Sequence, residues 1–126
     1  MKKTQSAKAL IVDDSAFMRS ILKDILLANG FFHIYEAGDG SEAVKIFKKY
    51  RPDVVTMDFI MPDQDGLQIL KKILAIDESA KIIMVTTVGQ DHVVKQAIEL
   101  GAKDYVVKPF ESSKIITVVE KVLTSR

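Results

Sequence analysis

Short apolar runs and helical stripes alternate strictly along this chain, and that alternation constrains its fold more than any other feature. The runs are Ala9–Val12, Val54–Met57, Ile82–Val85 and Tyr105–Val107, with a weaker one at His33–Ala37. Continuous apolar character, largely β-branched or aliphatic, suits strands covered on both faces. The stripes between them recur every three or four residues. They are Phe17, Met18, Ile21, Leu22, Ile25 and Leu26; Ala43, Val44, Phe47 and Tyr50; Leu67, Leu70, Ile73 and Leu74; Val93, Val94, Ala97 and Ile98; and Ile115, Val118, Val119, Val122 and Leu123. Asn29-Gly30, Pro52 and Gly101 end the first, second and fourth of them. Right-handed crossovers then give an α/β fold, a single doubly wound five-stranded parallel sheet with five helices on its two faces.

The 126 residues suffice for one domain with a real core. Residues 1–7 are polar and expected to be a flexible N-terminal segment, with the domain spanning 8–126. A formal net charge of +1 argues against nucleic-acid or membrane binding driven by bulk charge. The absence of cysteine excludes disulfides, thiolate metal sites and a cysteine nucleophile. The basic N-terminus leads into an apolar run too short for a secretory signal, and no stretch reaches transmembrane length. The expected location is cytoplasmic.

In doubly wound folds the site lies at the carboxyl ends of the strands. Here those ends carry Asp13-Asp14, Asp58, Thr86-Thr87 and Lys108-Pro109. Taken singly, each has a plain structural explanation; Asp14, for instance, could cap the first helix. Together they do not, because a parallel sheet brings them to one edge. Two like charges about 4 Å apart repel by roughly 4 kcal/mol at an effective dielectric near 20. Three carboxylates collected there imply a cation. With only oxygen ligands available, a hard divalent ion suits the site, Mg²⁺ first among them. Mg²⁺ usually keeps waters and takes a phosphate oxygen, which points to phosphoryl chemistry.

Four stretches, I-V-D-D-S-A-F-M-R, T-M-D-F-I-M-P-D-Q-D-G-L, I-I-M-V-T-T and G-A-K-D-Y-V-V-K-P-F, resemble the response-regulator receiver domain, in particular the CheY-like stand-alone chemotaxis type. The resemblance covers residues 8 to 124. It implies the flavodoxin-like strand order 2-1-3-4-5, which is taken from the resemblance. It implies that Asp58 is the phosphoacceptor, receiving a phosphoryl group from a phosphohistidine on a sensor histidine kinase. Asp14 would ligate Mg²⁺ directly, Asp13 through water, and Asp58 and the Ile60 carbonyl would complete the set. Lys108 would contact the phosphoryl oxygens, and a cis Lys108-Pro109 bond is expected, which proline makes accessible. Thr86 would bind the phosphoryl group after transfer, and Tyr105 would rotate into the space vacated. The candidate output surface is Asp91–Leu100 with Tyr105–Leu123, tinted basic by Lys95, Lys103 and Lys121. The implied partner is a flagellar motor switch protein or, alternatively, a histidine phosphotransfer protein, with the chain acting as a monomer. It would be a switch catalysing only its own phosphorylation and dephosphorylation. Ile60 cannot orient a water as an amide could, so slow self-dephosphorylation is expected, while the bulk of Thr87 narrows access.

Two other functions suit a similar fold less well. An FMN-binding flavodoxin needs a Ser/Thr-rich phosphate loop after strand one, where Asp13 and Asp14 would repel a phosphate. A haloacid-dehalogenase-type hydrolase places its nucleophile after strand one and a second Asp two residues on, whereas this pair is adjacent. Asp63 and Asp65 read as turn and cap residues, and Gly38-Asp39-Gly40 as a turn. His33 and His92 read as surface residues without partners at metal-ligand spacing.

Overall fold

The computed structural model describes residues 6–87 and 91–125. Its elements are β1 (Lys8–Val12), α1 (Ala16–Ala28), β2 (His33–Ala37), α2 (Gly40–Tyr50), β3 (Val54–Met57), α3 (Gly66–Ile76), β4 (Ile82–Thr87), α4 (Asp91–Leu100), β5 (Asp104–Lys108) and α5 (Ser112–Thr124). All strands are parallel, in the order β2-β1-β3-β4-β5. The order reverses between β1 and β3, so these two strands flank the switch point. No helix among the described residues is long and apolar enough to cross a membrane.

The sheet separates two apolar layers, which explains why its inner strands read as unbroken apolar runs. Leu10, Val55, Met57, Ile82 and Met84 face Phe47, Ile69, Leu70, Ile73, Val94 and Ala97 on one side. Ile11, Val54, Ile83, Val85 and Val106 face Leu22, Leu26, Ile115, Val118 and Val122 on the other. Burying each such Leu, Ile or Phe contributes about 1.5–3 kcal/mol. The weaker run is the edge strand β2, whose Ile34, Tyr35 and Glu36 are only partly covered.

Several boundaries differ from expectation. Ala7 is buried in the second layer, so order begins before residue 8, while residues 1–5 of the expected flexible segment lie outside the described residues. Helix α2 stops on Arg51, not on Pro52: Arg51 takes the left-handed conformation at φ 47° and its N–H reaches the Phe47 carbonyl. Gly38-Asp39-Gly40 is more than a turn. Asp39 caps α2 through the Glu42 N–H at 2.8 Å, and Glu42 returns a carboxylate to the Gly38 N–H at 2.8 Å. The exchange satisfies two backbone donors at the helix start. Ser15, not Asp14, caps α1, accepting from the Met18 N–H at 3.1 Å. Asp14 is thereby left free of a capping role.

Candidate metal and phosphoacceptor site

The last register pair between β1 and β3 is Val12 with Met57. The residues that follow, Asp13 and Asp58, are therefore neighbours by construction, and the Asp58 N–H still donates to the Val12 carbonyl at 3.2 Å. Asp14 adds a third carboxylate, and one oxygen from each of the three lies within 4.8 Å of the others. Asp13 is buried, Asp58 half-buried and Asp14 exposed. The pocket thus grades from the core to solvent.

Lys108, at the end of β5, lies two strands from β3, yet its Nζ donates to Asp13 Oδ2 and to Asp58 Oδ2, each at 2.9 Å. Its side chain is 13% exposed. Burial pulls the ammonium pKa down, but hydrogen bonds and charge from Asp13 and Asp58 outweigh it, so the value stands above that of an ordinary lysine. One ammonium against three carboxylates leaves two negative charges, the charge a divalent ion would balance. The donors are all hard oxygens, and Asp14 has no hydrogen-bond or ion-pair partner among the described residues. This set suits Mg²⁺.

The other expected site residues fall around this pocket. Ile60 is 63% exposed at its lip, and its N–H approaches Asp58 Oδ1 at 3.4 Å. Thr86 is buried near the end of β4, on the same face as Met84. Tyr105 pairs with Met84 and so shares that face, where it is 44% exposed beside α4. A groove of about 350 Å³ separates it from Asp91, Val94, Lys95, Ile98 and Glu99. The Lys108-Pro109 bond is cis, as expected. His33 and His92 are both exposed.

The basic tint expected on α4, β5 and α5 does not hold. Lys121 pairs with Asp104 at 3.4 Å, and Asp91 and Glu99 line the same groove as Lys95. The acids interleave with the lysines once the helix is wound, so the face is mixed in charge. Residues 88–90, between β4 and α4, lie outside the described residues.

Two supports have partners that the sequence does not show, although Asp63 reads as a turn and cap residue. Asp63 caps α2 from a different loop, accepting from the Gly40 and Ser41 N–H groups at 2.8 and 3.0 Å. Gly66 opens α3 so close to the loop after β3 that a Cβ would lie 2.6 Å from the Asp58 carbonyl oxygen. The D-G pair is visible in P-D-Q-D-G, but only the fold shows what the glycine faces. Asp65 behaves as read, capping α3 through the Gln68 N–H at 2.9 Å.

A doubly wound sheet with an acidic triad and a lysine at its carboxyl edge is the arrangement of a receiver-type domain: the response regulator receiver domain model matches residues 9–120, and the chain belongs to that family. Within it, the chain is similar to the chemotaxis protein CheY of Bacillus subtilis (strain 168), 48% identical over 116 residues that cover 92% of this chain and 97% of that protein. The sporulation initiation phosphotransferase F of the same organism is 36% identical, covering 92% and 93%. Among solved structures, the CheX–CheY–BeF3–Mg²⁺ complex from Borrelia burgdorferi is similar with a TM-score of 0.89 and 37% identity, covering 94% of this chain and 90% of that one.

Proposed function

We propose that this receiver domain is a switch operated by reversible phosphorylation of Asp58. The observation that carries the reading is the charge of the pocket: Asp13, Asp14 and Asp58 converge, and Lys108 alone leaves them under-neutralised. Asp14, Asp58 and the Ile60 carbonyl would hold Mg²⁺ directly, with Asp13 acting through water. Bound there, Mg²⁺ shields one anion from another and so permits their approach.

The chain's own groups do the rest. An Asp58 carboxylate oxygen attacks the phosphorus of a phosphohistidine on a sensor histidine kinase. The P–N bond breaks, its electron pair stays on the imidazole nitrogen, and an acyl phosphate forms on Asp58. Lys108, already 2.9 Å from Asp58 Oδ2, moves its donors onto the phosphoryl oxygens. The Thr86 hydroxyl turns inward to the same group, and Tyr105 follows on the shared face of the sheet. The transfer adds charge of about −1.5 to −2, which the shift of Thr86 and Tyr105 converts into a changed surface at α4, β5 and α5. The exposed Ile60 side chain offers no hydrogen bond to an attacking water, so the phosphoryl group is lost slowly.

The protein is read as a cytoplasmic monomer that is not an enzyme toward other molecules. Its similarity to chemotaxis proteins favours a flagellar motor switch protein as partner. The similarity to a sporulation phosphotransferase favours a second reading, a relay that passes the group to a histidine phosphotransfer protein. Incubation with Mg²⁺ and acetyl phosphate tests the core of this. The expected product is an acid-stable, base-labile adduct mapped to Asp58 by mass spectrometry and absent in Asp58→Asn. An adduct on another side chain would refute it. Pull-down of the phosphorylated protein with motor-switch peptides against a phosphotransfer domain separates the two outputs.

A further inference from the structure

The stretch I-V-D-D-S-A-F-M-R ends on Arg19, and the mechanism above makes no use of it. Arg19 lies near the start of α1, but its side chain folds back against the end of β1 and is only 19% exposed. Its Nη1 donates to the Asp13 carbonyl at 2.6 Å, and its Nε donates to Glu36 Oε1 at 3.2 Å. Glu36 projects from β2 and balances the guanidinium charge. Gly38 leaves room for the group: a Cβ there would come within 3.3 Å of Nη1.

Asp13 is consequently held at four points. Its N–H donates to the Ala37 carbonyl at 3.1 Å. Its Oδ1 accepts from the Ser15 N–H and its Oδ2 from Lys108, both at 2.9 Å. Arg19 holds the fourth, the carbonyl of the peptide that joins Asp13 to Asp14. Among the described residues the exposed Asp14 carboxylate has no partner of its own, so the peptide behind it fixes where it points. We infer that Arg19 is a positioning residue for the metal site: by gripping the Asp13 carbonyl it sets how Asp14 is presented, and so how tightly a divalent cation binds. The inference rests on the reading of the three carboxylates as a Mg²⁺ site.

Charge alone predicts the opposite sign. A guanidinium near a cation site repels the cation, so its removal should tighten Mg²⁺ binding. Loss of an orienting hydrogen bond behind a ligand typically weakens metal binding about 10- to 100-fold. Calorimetric titration of the metal-free protein with Mg²⁺ decides between them. Arg19→Met is expected to raise the dissociation constant at least about tenfold. Arg19→Lys, which can reach the carbonyl but not also Glu36, should recover part of that loss. Lys23→Met removes the other cation near Glu36, 3.7 Å away, without touching Asp13, and should bind as the native protein does. A merely structural role would lower thermal stability and leave the dissociation constant unchanged. Unchanged or tighter binding in Arg19→Met overturns the inference. If that variant fails to fold, Arg19→Gln, neutral and too short to span both partners, is judged by the same outcomes. Native protein that takes up no Mg²⁺ at all overturns the metal reading and this inference with it; native uptake with equal uptake by Arg19→Met overturns this inference alone.

Discussion

The two edges of the sheet both carry charge, and they use it in opposite ways. At the amino edge Lys8, Asp53, Asp77 and Lys81 each have a local structural task. Asp53 accepts from the Lys8 N–H at 2.8 Å, the Lys8 ammonium reaches the Tyr50 carbonyl at 3.2 Å, and Lys81 donates to the Leu123 and Ser125 carbonyls at 3.2 and 2.8 Å. Asp77 is held by Ser79, which keeps its carboxyl below the usual range. These charges close the ends of α2, β3, α3 and α5. A groove of about 420 Å³ opens there, yet its charged lining groups are already engaged. At the carboxyl edge three carboxylates face one another, and two of them, Asp13 and Asp58, share the Lys108 ammonium. A strand-end charge is therefore unremarkable by itself. Convergence of like charges is what marks a site, because repulsion must be offset by something that binds.

The contrast is sharpest for the two lysines. Lys108→Met strips the buried Asp13 of its cation and should cost roughly 3 kcal/mol, the scale for a buried pair that loses one partner. Lys81→Met loses two hydrogen bonds to carbonyls at the end of α5, one part-buried and one exposed, and should cost about 1 kcal/mol. Urea unfolding measures both. Added Mg²⁺ should recover part of the first loss and none of the second. Equal losses, equally insensitive to Mg²⁺, would erase the distinction between the edges.

Gly66→Ala probes the carboxyl edge through its backbone. The new Cβ would meet the Asp58 carbonyl oxygen and the Phe59 Cα, both at 2.6 Å, and neither is a flexible side-chain end. Destabilisation of about 1–3 kcal/mol is expected, as for overpacking elsewhere. Phosphorylation by acetyl phosphate should slow with it.

The smallest effect is in alkali. The Lys108 pKa is raised on folding, so its pairing stabilises fully below the ordinary lysine value of 10.5 and is lost as pH rises through the higher folded value. The stability gap between native protein and Lys108→Met should stay level from neutral pH upward and close only above 10.5. A gap that closes near neutrality would show that the pairing is not what separates them.

What was legible in the sequence follows the same division. His33–Ala37 and Val54–Met57 were readable as strands because period and composition are local properties. Asp13, Asp58 and Lys108 were readable as one site because parallel strands share an edge, whatever the packing. The mixed charge of the α4, β5 and α5 face, the identity of the helix that Asp63 caps and the close approach of Gly66 to Asp58 were not. Each depends on which turns meet in space, and no periodicity encodes that. Arg19 was visible at the end of a quoted motif, but its target is a backbone carbonyl, which has no signature in residue identity.

The central claim is that the acidic edge exists for a divalent cation, and thermal unfolding of native protein beside Asp14→Asn tests it most directly. Without metal, Asp14→Asn relieves repulsion and should be slightly the more stable of the two. With Mg²⁺ at ten times its dissociation constant, native protein should gain about 1.4 kcal/mol and overtake the variant, which gains little. A native protein that Mg²⁺ does not stabilise, or a variant that stays below it under both conditions, would contradict the account.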